Sequence, residues 1–412
     1  MFLLKIAFRN LFRRKKRTFI MAGVLALAIL FALVMDSFMG GLMDVSFSNV
    51  IDFESAHMVV GTREFFAEDD RPLQKIFRPG EGLEDEIRKS AGFVAMTQVV
   101  DFRANIIAGR EEFPVSVKAI DPAAFSQVFR FEDYTVSGEF LRDGEPGIII
   151  GSDLSNVLEV KPGDYYTLLF RDRSGSFNTM QGEIRGIFST PNPQANMMSI
   201  FVDREYAAGS LGIEKNEISR LMVRMEDRAG AVLAANILND RISVQGLEAR
   251  SWRDASDMLL SMEVWGEIEI MFIMALIMLV GAIGIINVVV LSALERVEEI
   301  GMMKAMGLKE GEIVRVFVLE AGGVGIIGAL AGSGFAALII ALLSTIGLDL
   351  QVIYGDAIVA MGIPVLGRIY GTWNLQAFIM FSGFGLLVSL AASILPSYWA
   401  ARKDPVEAIY HR

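Results

Sequence analysis

The sequence predicts a polytopic α-helical membrane protein: four transmembrane helices, with a large mixed α/β extracytoplasmic domain between helices 1 and 2. Three observations predict it. The 412 residues are 53% hydrophobic with a mean hydropathy of +0.44, too apolar for an ordinary soluble domain. Four stretches reach the roughly 20 apolar residues that span a bilayer, at 18–42, 268–294, 317–347 and 375–401. Between the first two lies residues 43–267, a block of soluble composition with 37 acidic and 23 basic residues and a net charge near −14.

The elements follow in order. Residues 1–17 form a basic leader in which Lys5, Arg9, Arg13, Arg14, Lys15, Lys16 and Arg17 face no acidic residue. Such an excess marks a cytoplasmic flank. Leu4, Ala7, Phe8, Leu11 and Phe12 fall near one helical face, so the leader is expected to lie as an amphipathic helix on the inner leaflet; a topology signal without a fixed helix is the other reading. The apolar core at 18–42 is long and no small-x-small site follows it, which favours an uncleaved anchor over a signal peptide. Four spans then put both termini inside, 43–267 and the connection 348–374 outside, and 295–316 and the tail 402–412 inside.

Within 43–267, β-rich runs such as "FPVSVKAI", "GIIIG", "YYTLLF", "GEIRGIF", "MSIFVD" and "SRLMVRM" alternate with turn signals such as "DGEPG" and "KPGD". Helical patterns fall at 81–90 and 228–241. The amphipathic stretch 252–267 predicts a helical stalk running into the second span.

Several function classes are excluded or disfavoured. There is no cysteine, hence no disulfide or thiolate site, and His57 and His411 are too few for a histidine metal cluster. The net charge of −11 argues against general nucleic-acid binding. No G-x-x-x-x-G-K-[ST], H-E-x-x-H or G-x-S-x-G occurs. No catalytic residues and no metal site are expected.

The most informative stretch is "ALERVEEIGMMKAMGLKEGEIVRVF", between the second and third spans. Val297, Ile300 and Met303 recur at three and Met302 and Met306 at four, giving a short amphipathic helix. Gly307 can end it in a left-handed conformation. Such a helix can rest on lipid or fit a groove on a cytoplasmic partner. Glu295, Glu298 and Glu299 disfavour the anionic leaflet and favour the partner.

"ERVEEIGMMKAMGLKEGEI" resembles the E-R-x-x-E-I-G-x-x-[KR]-A-x-G signature of FtsX-like permeases, the membrane halves of type VII ABC transporters. The ending "LPSYWAARKDPVEAIYHR" resembles that family's P-x-x-x-A-x-x-x-[DN]-P-x-x-A-[LI], here Pro396, Ala400, Asp404, Pro405 and Ala408. The leader and the one-plus-three layout agree. The resemblance implies that Glu295, Arg296, Glu299, Ile300, Gly301, Lys304, Ala305 and Gly307 contact a separate ATPase, which would hold ATP and Mg, so the chain itself is expected to be no enzyme. It implies a second permease chain, identical or not, and residence in the bacterial inner membrane.

"GEIRGIFSTPNPQANMMSIFVDREYAAGSLG" resembles the outer segment of LolC/LolE lipoprotein-release permeases. This implies extraction of lipoproteins for hand-off to a periplasmic carrier. A MacB-like exporter of another substrate, or an FtsX-like regulator of an outer enzyme, is the alternative. The loop Pro191, Asn192, Pro193, Met197 and Met198 is the candidate carrier contact, expected either to project from the domain or to be an ordinary turn. Gly325, Gly328 and Gly332 in the third span are expected to serve close helix packing. Glu320 and Asn287 are expected at interhelical or headgroup contacts.

Overall fold

A computed structural model describes residues 15–67, 72–80, 82–108, 111–243, 246–254, 297–349 and 368–402, with residues 7 and 9 and scattered positions between 266 and 290. The chain divides into two compact units. One comprises Met1–Met43, Val264–Leu348 and Arg368–Arg412, the other Asp44–Glu263 and Asp349–Gly367. One helix, α1 (Lys15–Val50), contributes to both.

The second unit is built on ten strands: β1 (Met58–Thr62), β2 (Phe93–Ala108), β3 (Glu111–Ile120), β4 (Thr135–Gly138), β5 (Gly147–Gly151), β6 (Tyr165–Arg171), β7 (Phe177–Phe188), β8 (Ser199–Asp203), β9 (Arg220–Met225) and β10 (Leu247–Ser251). They pair in the order β10-β1-β9-β2-β3-β8-β5-β7-β4, and β6 bridges β2 and β7. The bridge closes β2, β3, β8, β5, β7 and β6 into a ring. Pairing within it is antiparallel, except that β3 runs parallel to β8 and β5 parallel to β7.

Alternation along the strands fills the ring. Phe102, Ala104, Ile106, Val117, Ile150, Leu168, Met180 and Ile184 belong to one buried cluster, as the period-2 geometry of a strand requires. β2 is unusually long. Its first half pairs with β9 in the open part of the sheet, through Gln98↔Leu221, and its second half with β6, through Ile106↔Leu168.

Helices α2 (Arg63–Phe66), α3 (Leu83–Arg88), α4 (Pro122–Val128), α5 (Ser152–Leu158), α6 (Pro193–Met198), α7 (Arg204–Leu211) and α8 (Arg228–Ile242) decorate the sheet. α8 starts at Asp227, whose carboxylate accepts from the Gly230 N–H at 2.7 Å, a standard N-cap. Its Ala231, Ala234, Ala235, Leu238 and Ile242 pack with Val60, Leu221 and Val223 of β1 and β9. A third cluster gathers Phe53, Phe125, Phe129, Phe131, Phe188 and Phe201. Phe131 lies at its centre, with ring centroids 4.6 Å from Phe201 and 5.0 Å from Phe188.

The helical predictions at 81–90 and 228–241 correspond to α3 and α8. The stalk does not begin where periodicity placed it. Ser251–Asp254 is a turn, with the Asp254 N–H donating to the Ser251 carbonyl at 3.0 Å and the Ser251 hydroxyl to the Asp254 carboxylate at 2.7 Å. The rest of the predicted stalk, 255–265, lies outside the described residues.

In the first unit, three helices among the described residues are long and apolar enough to cross a membrane, at 18–55, 310–346 and 375–399. The latter two belong to α10 (Glu310–Ile346) and α11 (Leu375–Ala401). Most of the predicted span 268–294 lies outside the described residues; its described positions, Asn287 among them, are helical. Of the leader, Ala7, Arg9 and residues 15–17 are described and helical.

Candidate functional site

Between the second predicted span and α10 lies a short helix, α9 (Val297–Ala305). It ends as the sequence suggested. Gly307 takes φ +94°, its N–H donates to the Lys304 carbonyl, and the Leu308 N–H donates to the Met303 carbonyl. This is the paired-bond pattern of a Schellman stop, and glycine bears its left-handed φ without steric cost. α10 then starts at Lys309, whose N–H donates to the Glu312 carboxylate at 2.9 Å.

The two faces of α9 differ. Ile300 is 2% exposed and packs with Ile313, Phe317 and Ala401 of α10 and α11. Gly301 is buried. The resemblance implies a partner contact at both; in the structure Ile300 is turned inward, where it fixes α9 to its own chain. Lys304 is half-buried, with its ammonium 3.6 Å from the Glu310 carboxylate. The outward apolar side chains are Met302 and Met306, 54% and 73% exposed. Glu295 and Arg296 lie outside the described residues; Glu299 and Ala305 are in the helix.

α10 and α11 hold this platform through small residues. An added Cβ at Gly325 would meet Leu386 at 3.0 Å and Ser389 at 3.1 Å, and one at Gly328 the Ala22 carbonyl at 3.0 Å. At Gly332 it would meet the Ala26 carbonyl at 2.6 Å. Gly325 therefore faces α11, and Gly328 and Gly332 face α1. The Ser389 hydroxyl donates to the Ala321 carbonyl at 2.8 Å, and Ser333 and Ser382 hydroxyls meet at 2.9 Å. Glu320 is buried in α10. Pro396 is buried inside α11, where it removes one backbone donor; Ala400 is in the same helix, and Asp404, Pro405 and Ala408 lie outside the described residues.

Two glycines that the sequence reading passed over, Gly40 and Gly41, let the segment 370–372 lie against α1. A Cβ at either would collide with the Thr372 hydroxyl or the Tyr370 carbonyl. The Thr372 N–H donates to the Ser37 carbonyl at 3.2 Å and Asn374 to the Asp36 carboxylate at 3.2 Å.

The candidate carrier loop is corrected by the structure. It does not project. Asn192 caps α6 by accepting from the Gln194 and Ala195 N–H groups at 3.0 and 3.2 Å. The Asn196 amide accepts from the Thr190 N–H and hydroxyl at 2.8 and 2.9 Å and donates to the Thr190 carbonyl at 2.9 Å. Asn192 and Asn196 are each 3% exposed, and Gly151 leaves room for the Asn196 backbone against which any Cβ would collide. Turn propensity was read correctly at both asparagines, but it serves an internal lock. Pro191 and Pro193 are half-buried, and Met197 and Met198 are exposed. Among the described residues no group of acidic or histidine side chains could hold a metal ion.

The comparisons with known proteins take in both parts of the chain. Residues 271–405 match the model of the FtsX-like permease C-terminal domain. That stretch of the chain is FtsX-like. The match takes in α9, α10 and α11 together. Relatives agree: the chain is 20% identical over 338 residues to the lipoprotein-releasing system transmembrane protein LolE of Haemophilus influenzae, covering 80% of each. It is 35% identical over 118 residues to the macrolide export ATP-binding/permease protein MacB of Vibrio parahaemolyticus, 29% of this chain but only 15% of that protein. Among solved structures, the extracellular domain of the ABC-type transporter YknZ from Gram-positive bacteria matches 47% of this chain and 99% of its own, at 14% identity and a TM-score of 0.33.

Proposed function

We propose that the chain is the permease subunit of an ABC transporter in the bacterial inner membrane, with both termini cytoplasmic. A separate ATPase subunit holds ATP and Mg, and a second permease chain completes the assembly. The observation that carries this reading is the two-faced α9 inside a permease domain. Its inner face is anchored through Ile300; its outer face offers Met302 and Met306, adaptable side chains suited to a partner's groove. A push on that methionine ridge passes into α10, 37 residues of continuous helix.

Lipoprotein extraction is the cargo reading we favour over MacB-like export or regulation of an outer enzyme. What supports it is the extent of the LolE relative, which matches 80% of this chain, against 29% to 53% for MacB proteins. Withdrawing an acyl chain into water costs about 0.8 kcal/mol per CH₂, so the reading requires a sheltered path and a receiving carrier. Met197, rather than the buried asparagines, is the part of the outer loop that such a carrier would meet.

The test is purification of the tagged chain from native membranes. An ATP-hydrolysing subunit and an acylated protein should accompany it, and Met302→Glu with Met306→Glu should lose the ATPase at least tenfold while inserting normally. An ATPase retained by the double variant overturns the ridge as the contact. Wild type that brings down neither ATPase nor acylated protein overturns the transporter reading.

A further inference from the structure

The unit 44–263 contains a cleft of about 1290 Å³ on the face of β2 and β3 that points away from the ring interior. Its floor is polar because strand alternation puts Asp101, Arg103 and Asn105 of β2 opposite Lys118, Ser116 and Pro114 of β3. In a domain of strongly negative net charge, this cleft is lined by five basic side chains, Arg103, Lys118, Arg171, Arg220 and Arg250, against Glu54, Asp101 and Asp254.

Lys118 is the informative residue. It is 7% exposed, lines the cleft, and makes no hydrogen bond or ion pair among the described residues. Its cross-strand neighbour Asp101 is committed elsewhere: one carboxylate oxygen accepts from Arg220 at 2.7 Å, and the other, Oδ2, has no partner. Arg220 Nε is likewise buried without an acceptor. Burial pushes the Lys118 ammonium down to about 8, the Arg220 charge adding to the effect and Asp101 and Glu54 opposing it. A largely buried cation is costly, and such costs concentrate at binding sites.

The mouth is of different chemistry. Phe65 and Phe66 are half-buried there, while Phe177 and Met198 are 67% and 42% exposed. Guanidinium groups stack on these rings, Arg171 on Phe177 at 4.2 Å and Arg250 on Phe66 at 4.4 Å. A charged floor under an apolar mouth fits a molecule with one anionic end and one apolar end.

We propose that this cleft binds a small anionic amphiphile, its phosphate or carboxylate head held by Lys118 and Arg220 and its alkyl part lying along Phe65, Phe66 and Phe177. The site belongs to the outer unit alone and stands whether or not the chain couples to an ATPase.

The test uses the full chain in phosphatidylcholine nanodiscs, titrated calorimetrically with hexyl phosphate and with inorganic phosphate, empty discs being subtracted. Hexyl phosphate should bind saturably, and inorganic phosphate at least tenfold more weakly. Lys118→Met keeps the buried stem and removes the charge; it should weaken hexyl phosphate at least tenfold without lowering the melting temperature. Arg171→Gln and Phe177→Ser, on the exposed rim, should each weaken it severalfold, and Phe177→Ser should leave inorganic phosphate unchanged. Absence of saturable binding overturns the site. Unchanged affinity in Lys118→Met, or in both rim variants, overturns the assignment of the head and mouth. Equal affinity for the two phosphates overturns the amphiphile.

Discussion

The two units of this protein hold themselves together with different mixtures of side chain. In 44–263 the contacts are made by the largest apolar residues, with Phe102, Phe125, Phe129, Phe131, Phe188 and Phe201 all under 2% exposed. In the helical unit large side chains such as Leu25, Ile29, Leu33 and Phe381 are buried too, but they are set against the smallest: a Cβ added at Gly322, Gly325, Gly328, Gly332 or Gly385 would come within about 3 Å of a neighbouring atom, and serines bridge helices. The solvent explains the difference. Water expels large apolar surfaces. Lipid is as apolar as leucine, so helices there gain by bringing backbones close and pairing polar groups. Buried size is therefore a sign of core in both units, and in the helical one missing size is a sign of core as well.

The largest effect should come from deleting size where size matters. Phe131→Ala removes the central ring of the phenylalanine cluster and should cost about 3–5 kcal/mol, read as a lowered urea midpoint; a loss under about 1 kcal/mol would break the contrast.

Next comes a buried polar group in the same unit. Burial, helped by the Arg224 charge, holds His57 down at about 4, whereas the unfolded chain titrates near the ordinary 6.5. Between those values the unfolded chain binds a proton that the folded one does not, so stability falls as pH drops from 6.5 to 4, by on the order of 3 kcal/mol. Urea midpoints at pH 7 and pH 4.5 should therefore converge in His57→Phe relative to wild type, and an identical pH response in both would refute the assignment.

Adding size in the helical unit should come third. Gly332→Val forces a side chain against the Ala26 backbone and should cost about 1–3 kcal/mol, seen as a lower melting temperature in detergent; the same substitution at Gly23 or Gly334, where nothing lies within 4 Å, is the matched control and should be nearly silent. Smallest of all, Ser389→Ala loses one interhelical bond and should cost about 0.6 kcal/mol, a shift that a double-mutant comparison with Ser333→Ala at the neighbouring serine pair should show to be additive.

Much of this was legible because the signals were local. Span hydropathy marked α1, α10 and α11, and the spacing of Ile300, Met303 and Gly307 marked α9 and its stop. The side of α9 that faces inward was not legible, since Ile300 and Met302 are both apolar and only packing on Ile313 and Ala401 decides between them. β2 was missed because "FVAMTQVVDFRANIIA" changes its alternation where it passes from one partner to another, placing Asp101 and Arg103 in what reads as a break. The loop at 189–198 stayed open between a projecting arm and an ordinary turn for a related reason. Asparagine and proline mark a turn wherever it sits, and nothing in "TPNPQAN" tells that Thr190 and Asn196 close on each other inside the fold. The five basic side chains of the cleft come from five different strands, so no window of sequence contains it.

The length of β2 has a consequence for how the outer unit opens. One strand supplies Val99 to the phenylalanine cluster, Phe102 and Ile106 to the ring, and its first half to β9. Neither side can melt without releasing the strand on which the other depends, so the unit has no low-energy partial opening along it. Amide protons from Val99 to Ile107 should exchange with solvent at one common rate, set by complete unfolding, while α8 and β10 at the sheet's margin exchange sooner. The strand makes two cores into a single thermodynamic event.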